Sequence, residues 1–179
     1  MQIRWCVAFF LVAFVVWGQA AVTGKRSSKS EQQQFSAVDA GVERPIPLPN
    51  DVLDILRKDD DVRQMLEAQE IPPEKLPSSW FSASAIHLRS RVETDIVVKG
   101  EPPVLGANVT TFWVFCPSTS GHELVLKASA LTLGVGKKRW NRYLEIDMSS
   151  ATASVLSTIS FRFDGKRYVW YRDISEPIH

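Results

Sequence analysis

The chain has 179 residues, with 21 Lys+Arg against 20 Asp+Glu and only 2 cysteines. Near-neutral charge excludes nucleic acid as the main partner, because that binding depends on a basic field. Two cysteines cannot build a disulfide scaffold, so the fold must rest on a hydrophobic core, and a chain of this size buries roughly 70% of its unfolded surface.

Residues 1–20 read as a cleavable secretory signal peptide. Arg4 is followed by an unbroken apolar run from Cys6 to Trp17 and by the small-residue stretch Gly18-Gln19-Ala20-Ala21, the order of a basic, an apolar and a cleavage region. The run is shorter than the roughly 20 residues of a membrane-spanning helix. It therefore predicts export to the periplasm or the extracellular space, cleavage after Ala20 and no stable membrane span thereafter. Cleavage removes Arg4 and Cys6, leaving a formally neutral chain in which Cys116 has no disulfide partner.

Residues 21–44 are dominated by Ser, Gln, Lys and Glu and predict a flexible tether. Pro45, Pro47 and Pro49 form an extended strut that leads into a single globular domain, residues 45–179. Helix is predicted over residues 50–70. Asn50 is a candidate N-cap, Asp51 and Asp54 suit the first turn, and Val52, Ile55, Leu56, Val62 and Leu66 recur at helical spacing. Asp59-Asp60-Asp61 interrupts the pattern, with Asp61 and Gln64 at capping-box spacing, so one kinked helix or two short ones fit.

Residues 80–173 are predicted to be rich in β-strand. Val92 to Val98 alternates apolar and polar residues, as a half-buried strand does. Thr110 to Cys116 is apolar on both faces, as a central strand is, and Glu123 to Ser129 returns after a turn. Strands at Leu131 to Val135 and Leu144 to Met148 follow. The last unit is a hairpin, Ser157–Phe163 and Lys166–Arg172, around Asp164-Gly165. The fold class is α+β: an N-terminal helix, or two short ones, on a curved antiparallel meander sheet of about six or seven strands. The alternative is a small β-barrel or sandwich.

Chemistry is sparse. His87, His122 and His179 lack metal-ligand spacing, and no cofactor is implied. Gly-x-Ser-x-Gly is absent, which leaves a hydrolase only as a dispersed site. Cys116 reads as a buried, inert thiol, and Asn108-Val109-Thr110 is a glycosylation sequon. Trp113 and Phe115, on a strand with two apolar faces, are the candidate aromatic platform. A two-residue Asp164-Gly165 loop would set Phe161 opposite Tyr168, Ile159 opposite Trp170, and Arg162 opposite Arg167. The Arg162–Arg167 pair, with Tyr171 on the same face, is then a candidate site for an anionic partner.

The stretch Arg139-Trp140-Asn141-Arg142-Tyr143-Leu144-Glu145-Ile146 together with Phe161-Arg162-Phe163-Asp164-Gly165-Lys166-Arg167-Tyr168 resembles the blades of FG-GAP-type repeats and of uncharacterised exported bacterial proteins. The resemblance implies a bacterial, envelope-exported origin. Trp140-Asn141-Arg142 stands where such blades carry an acidic calcium loop, so it implies no calcium site. The sequence thus predicts an exported, non-enzymatic module that binds a protein or an envelope polymer, as an inhibitor or accessory subunit; the alternative is a small secreted hydrolase.

Overall fold

Three aspartates divide the helical segment in two. In the computed structural model, which describes residues 33–178, α1 spans Asn50–Leu56 and α2 spans Asp60–Ala68. Asp59, rather than Asp61, caps α2: its side chain accepts the backbone N–H groups of Asp61 and Val62. Asn50 is the first helical residue, and Pro49 occupies the cap position without a side-chain bond. The signal-peptide reading of residues 1–20 and the early part of the expected tether lie outside the described residues.

Ten strands are present among the described residues. They are β1 (Gln34–Ser36), β2 (Pro45–Ile46), β3 (Phe81–Ile86), β4 (Asp95–Gly100), β5 (Thr110–Ser118), β6 (Gly121–Ala130), β7 (Thr132–Trp140), β8 (Tyr143–Ala151), β9 (Val155–Phe163) and β10 (Tyr168–Pro177). They make two antiparallel five-stranded sheets, β2-β3-β4-β5-β6 and β1-β7-β8-β9-β10, neither closed into a barrel. The class is α+β, and the expected single curved sheet is in fact two. The chain leaves the first sheet at Ala130 and enters the second at Thr132. Leu131 still bonds across to Ala37 and Ser149, so the change of sheet takes a single residue.

The first sheet is the middle layer. One face carries Ala83, Ile96, Val98, Trp113 and Phe115 against Val52, Leu56, Val62 and Leu66 of the helices. Its other face carries Val97, Phe112, Val114 and Cys116 against Leu133, Ile146, Met148, Phe163 and Tyr168 of the second sheet. This explains why Thr110 to Cys116 is apolar throughout: all seven residues are buried, with one core on each side.

The tether reading fails from Gln34 onward. β1 pairs with β7, Phe35 facing Leu133, and Phe35 is 1% exposed within the inter-sheet core. Behind it, the fully buried Lys99 donates from Nζ to Ser36 O at 3.3 Å and to Asp39 O, and pairs with Glu101 at 3.1 Å. A buried ammonium needs such a cage of acceptors, and here the N-terminal segment supplies two of the three. The folded body therefore begins before residue 45. The strand expected from Val92 also starts later, because Val92 is 91% exposed and only Asp95 begins β4. No helix among the described residues is long and apolar enough to cross a membrane.

Candidate functional site

Trp113 and Phe115 are not a surface platform. Both are fully buried between the first sheet and the helices. Trp113 packs edge-on against Phe81 at 5.7 Å and donates Nε1–H to Asp59 Oδ2 at 3.0 Å.

The Arg162–Arg167 pairing is also replaced. β9 and β10 pair Tyr168 with Phe163, Val169 with Arg162 and Trp170 with Phe161. The loop centres on Gly165-Lys166, closed by the Asp164 N–H donating to Arg167 O at 3.0 Å. The Asp164 carboxylate accepts the N–H groups of Lys166 and Arg167 at 2.8 and 3.0 Å, and these bonds hold its carboxyl below the usual carboxylate range. Gly165 takes the positive φ of 116° that the turn needs. Arg167 stands at the loop, and Trp170, expected in the core opposite Ile159, is 62% exposed.

Arg162 and Tyr171 do meet. Ile146 and Phe161 pair and belong to the inter-sheet core, so the next residues on the two strands, Glu145 and Arg162, face away from it. A bulge between Trp170 and Arg172 brings Tyr171 to the same outer face. There the Arg162 guanidinium lies 5.3 Å from the Trp140 ring centre and 4.8 Å from that of Tyr171, and the two rings are 5.2 Å apart. Cation–π geometry of this kind holds the arginine in place without neutralising it. The spacing of Trp140 to Arg162 in the sequence carries no signal, because β8 separates their strands.

Glu145 also belongs with this cluster. It is 7% exposed, and its side chain lies across Gly136, where an added Cβ would stand 2.4 Å from Glu145 Cγ. Its Oε2 and the Trp140 Nε1 are both enclosed without a hydrogen-bond partner in the chain. Folds pair nearly all such groups, and leaving one unpaired costs roughly 1 to 3 kcal/mol.

A second feature is a groove of about 430 Å³ between β6 and the β9–β10 hairpin, lined by Leu124, Leu126, Phe161, Tyr168 and Trp170 with Arg167 at its margin. A third is the pair formed by His122 and Asp51, 2.8 Å from Nδ1 to Oδ2, with the His122 backbone N–H on the same oxygen at 2.7 Å. The His122 side-chain contact is the chief cause lowering the Asp51 carboxyl below its ordinary value. Gly121, at φ 126°, leaves that oxygen room that a Cβ would take. In the same turn, Ser118 Oγ–H donates to Gly121 O at 3.2 Å.

Cys116 is 4% exposed, and burial, reinforced by Asp95, pushes its thiol far up from the ordinary value. Such a thiol is a core residue rather than a nucleophile. Among the described residues no three His, Cys, Asp or Glu side chains are grouped to hold a metal ion. Asn108 of the sequon is exposed. No protein family, no curated protein and no solved structure matches the chain.

Proposed function

We propose that the chain is an exported, non-enzymatic module that binds a protein or an envelope polymer through the Trp140–Arg162–Tyr171 cluster. The observation that carries this reading is the unpaired polar pair beside an open aromatic–guanidinium stack. Trp140 Nε1 is a donor and Glu145 Oε2 an acceptor, and the chain satisfies neither. Both atoms are enclosed in the free chain, so a partner dense in hydroxyl or amide groups would satisfy them only by drawing the two side chains outward, while Tyr171, 37% exposed, offers ring surface. Export rests on the apolar run from Cys6 to Trp17 and on the FG-GAP-like hairpin.

The test is retention of purified cell-wall polymer and of envelope proteins on the immobilised chain. Arg162→Ser should cut retention about tenfold or more, the worth of one charge-assisted contact, with the melting midpoint unchanged. Equal retention by parent and variant would remove the cluster from the reading.

The His122–Asp51 pair favours a second reading, a small hydrolase, because a carboxylate that orients an imidazole supplies two of the three members of an acyl-transfer triad. Hydrolysis of an ester or peptide by the parent, lost in His122→Ala, would establish it in place of the first.

A further inference from the structure

β10 is an open edge of the second sheet, and from Arg172 to Pro177 it pairs with β9 without interruption. The Ile178 N–H donates to Ser154 O at 2.9 Å, which sets the phase of this ladder. Ile178, Glu176, Ile174 and Arg172 turn their backbone groups toward β9, so Asp173, Ser175 and Pro177 turn theirs toward the open edge. Pro177, with no N–H to give, stands on the open side, where edge prolines belong. The opposite edge is β1, only 3 residues long. Short edges resist pairing; a long regular edge with exposed apolar side chains invites it. Ile174 and Ile178 are 41% and 49% exposed.

Bonding across this edge requires outward residues to meet outward residues, and Pro177 has no N–H to exchange, so registers centred on Asp173 and Ser175 remain, three in number, for β10 against an antiparallel copy of itself. Asp173 against Asp173 opposes two carboxylates. Ser175 against Ser175 sets Arg172 against Ile178 and Glu176 against Ile174. Asp173 against Ser175 sets Arg172 against Glu176 on both sides of a two-fold axis, with Ile174 meeting Ile174 on the axis. The same strand thus carries both signs of charge at equal distances from Ile174, a pattern that matches a second copy of itself.

We propose that two copies of this chain join edge to edge through β10, Asp173 opposite Ser175 and Arg172 opposite Glu176, so that their two five-stranded sheets become one. In this register Asp173 and Ser175 exchange both N–H···O bonds at each of two symmetry-related places. The surface is self-complementary, as a closed two-fold interface must be. It is independent of what the Trp140 cluster binds.

The experiment measures mass by sedimentation over a range of concentrations, on the chain purified from cells expressing the full sequence. The parent should be a dimer that dissociates on dilution. Arg172→Glu and Glu176→Arg should each weaken it about tenfold or more, because each opposes like charges twice, and the double reversal R172E/E176R should restore it. Ser175→Pro removes an outward N–H without touching charge or the bonds to β9, and should leave a folded monomer by circular dichroism. A parent that stays monomeric at the highest concentration overturns the proposal. So does a dimer indifferent to both single reversals, a double variant as weak as the singles, or a Ser175→Pro chain that is folded and still dimeric.

Discussion

Trp113 and Asp59 are joined by a 3.0 Å hydrogen bond between the indole Nε1–H and Oδ2, and through it the cap of α2 is fastened to the middle layer. Asp59 Oδ1 accepts the N–H groups of Asp61 and Val62 at 3.0 and 3.3 Å. Lys127 of β6 reaches the same carboxylate at 2.9 Å. Burial alone would lower the Lys127 ammonium, but Asp59 and Asp61 outweigh it and raise it. Asp59→Ala should therefore destabilise by roughly 2 to 4 kcal/mol, the loss of a cap together with an unpaired buried indole N–H. Chemical denaturation measures it, and a loss within about 0.5 kcal/mol would mean that solvent replaces the carboxylate.

Phe35 and Trp170 give opposite expectations. Phe35→Ala should cost roughly 3 to 5 kcal/mol, the usual result of emptying a large aromatic site in a core. Trp170→Ala, at a site 62% exposed, should stay within about 0.5 kcal/mol. Removing residues 21–44 should lower the melting midpoint sharply, because it takes away β1 and two of the three acceptors of Lys99. An unchanged midpoint after that deletion would show that β1 adds nothing to the core.

Acid sensitivity follows from Asp51. Its carboxyl lies below the ordinary value in the folded chain, first because of the His122 side chain and then the His122 backbone N–H, with burial opposing both. A depressed carboxylate contributes stability above its unfolded value, and that contribution is lost as pH falls through the folded value. The Asp51→Asn variant should be less stable than the parent near neutrality, and the gap should close as pH falls through the folded value. Melting curves across that range decide it; a gap that is constant with pH would show that neither His122 contact depresses the Asp51 carboxyl.

Glu145→Gln should leave the melting midpoint unchanged or higher, since a neutral amide is easier to enclose than a carboxylate without partners. The same change should weaken retention of the bound polymer or protein. A stability gain coupled to a binding loss is the pattern of a group kept for function, and a marked drop in midpoint would show instead that the chain satisfies the carboxylate.

The strands from β5 to β10 and both helices were legible because period-2 and helical apolar patterns follow from which face is buried. β2 and β3 (Phe81–Ile86) were not assigned, and three further features were not legible. β1 has one apolar residue, Phe35, between Gln34 and Ser36, too short for any period to register. The hairpin register depended on whether Asp164 lies in the turn through its backbone or through its side chain; the carboxylate bonds to Lys166 and Arg167 shift the centre to Gly165-Lys166 and carry Trp170 out of the core. The two-sheet division turns on Leu131, which no Gly or Pro marks. Of the site, Arg162 and Tyr171 were found from alternation. Trp140 and Glu145 were not, because their proximity comes from strand order and from the space over Gly136.

The pairing of β1 with β7 also governs when the domain can close. Gln34 meets Gly134, a partner far along the chain, and closing so long a loop is entropically costly and slow. A chain delivered N-terminus first presents Phe35 early but must wait for Leu133 to arrive before burying it. The inter-sheet core is then completed only after nearly every strand has emerged, which keeps the polypeptide open for most of its synthesis.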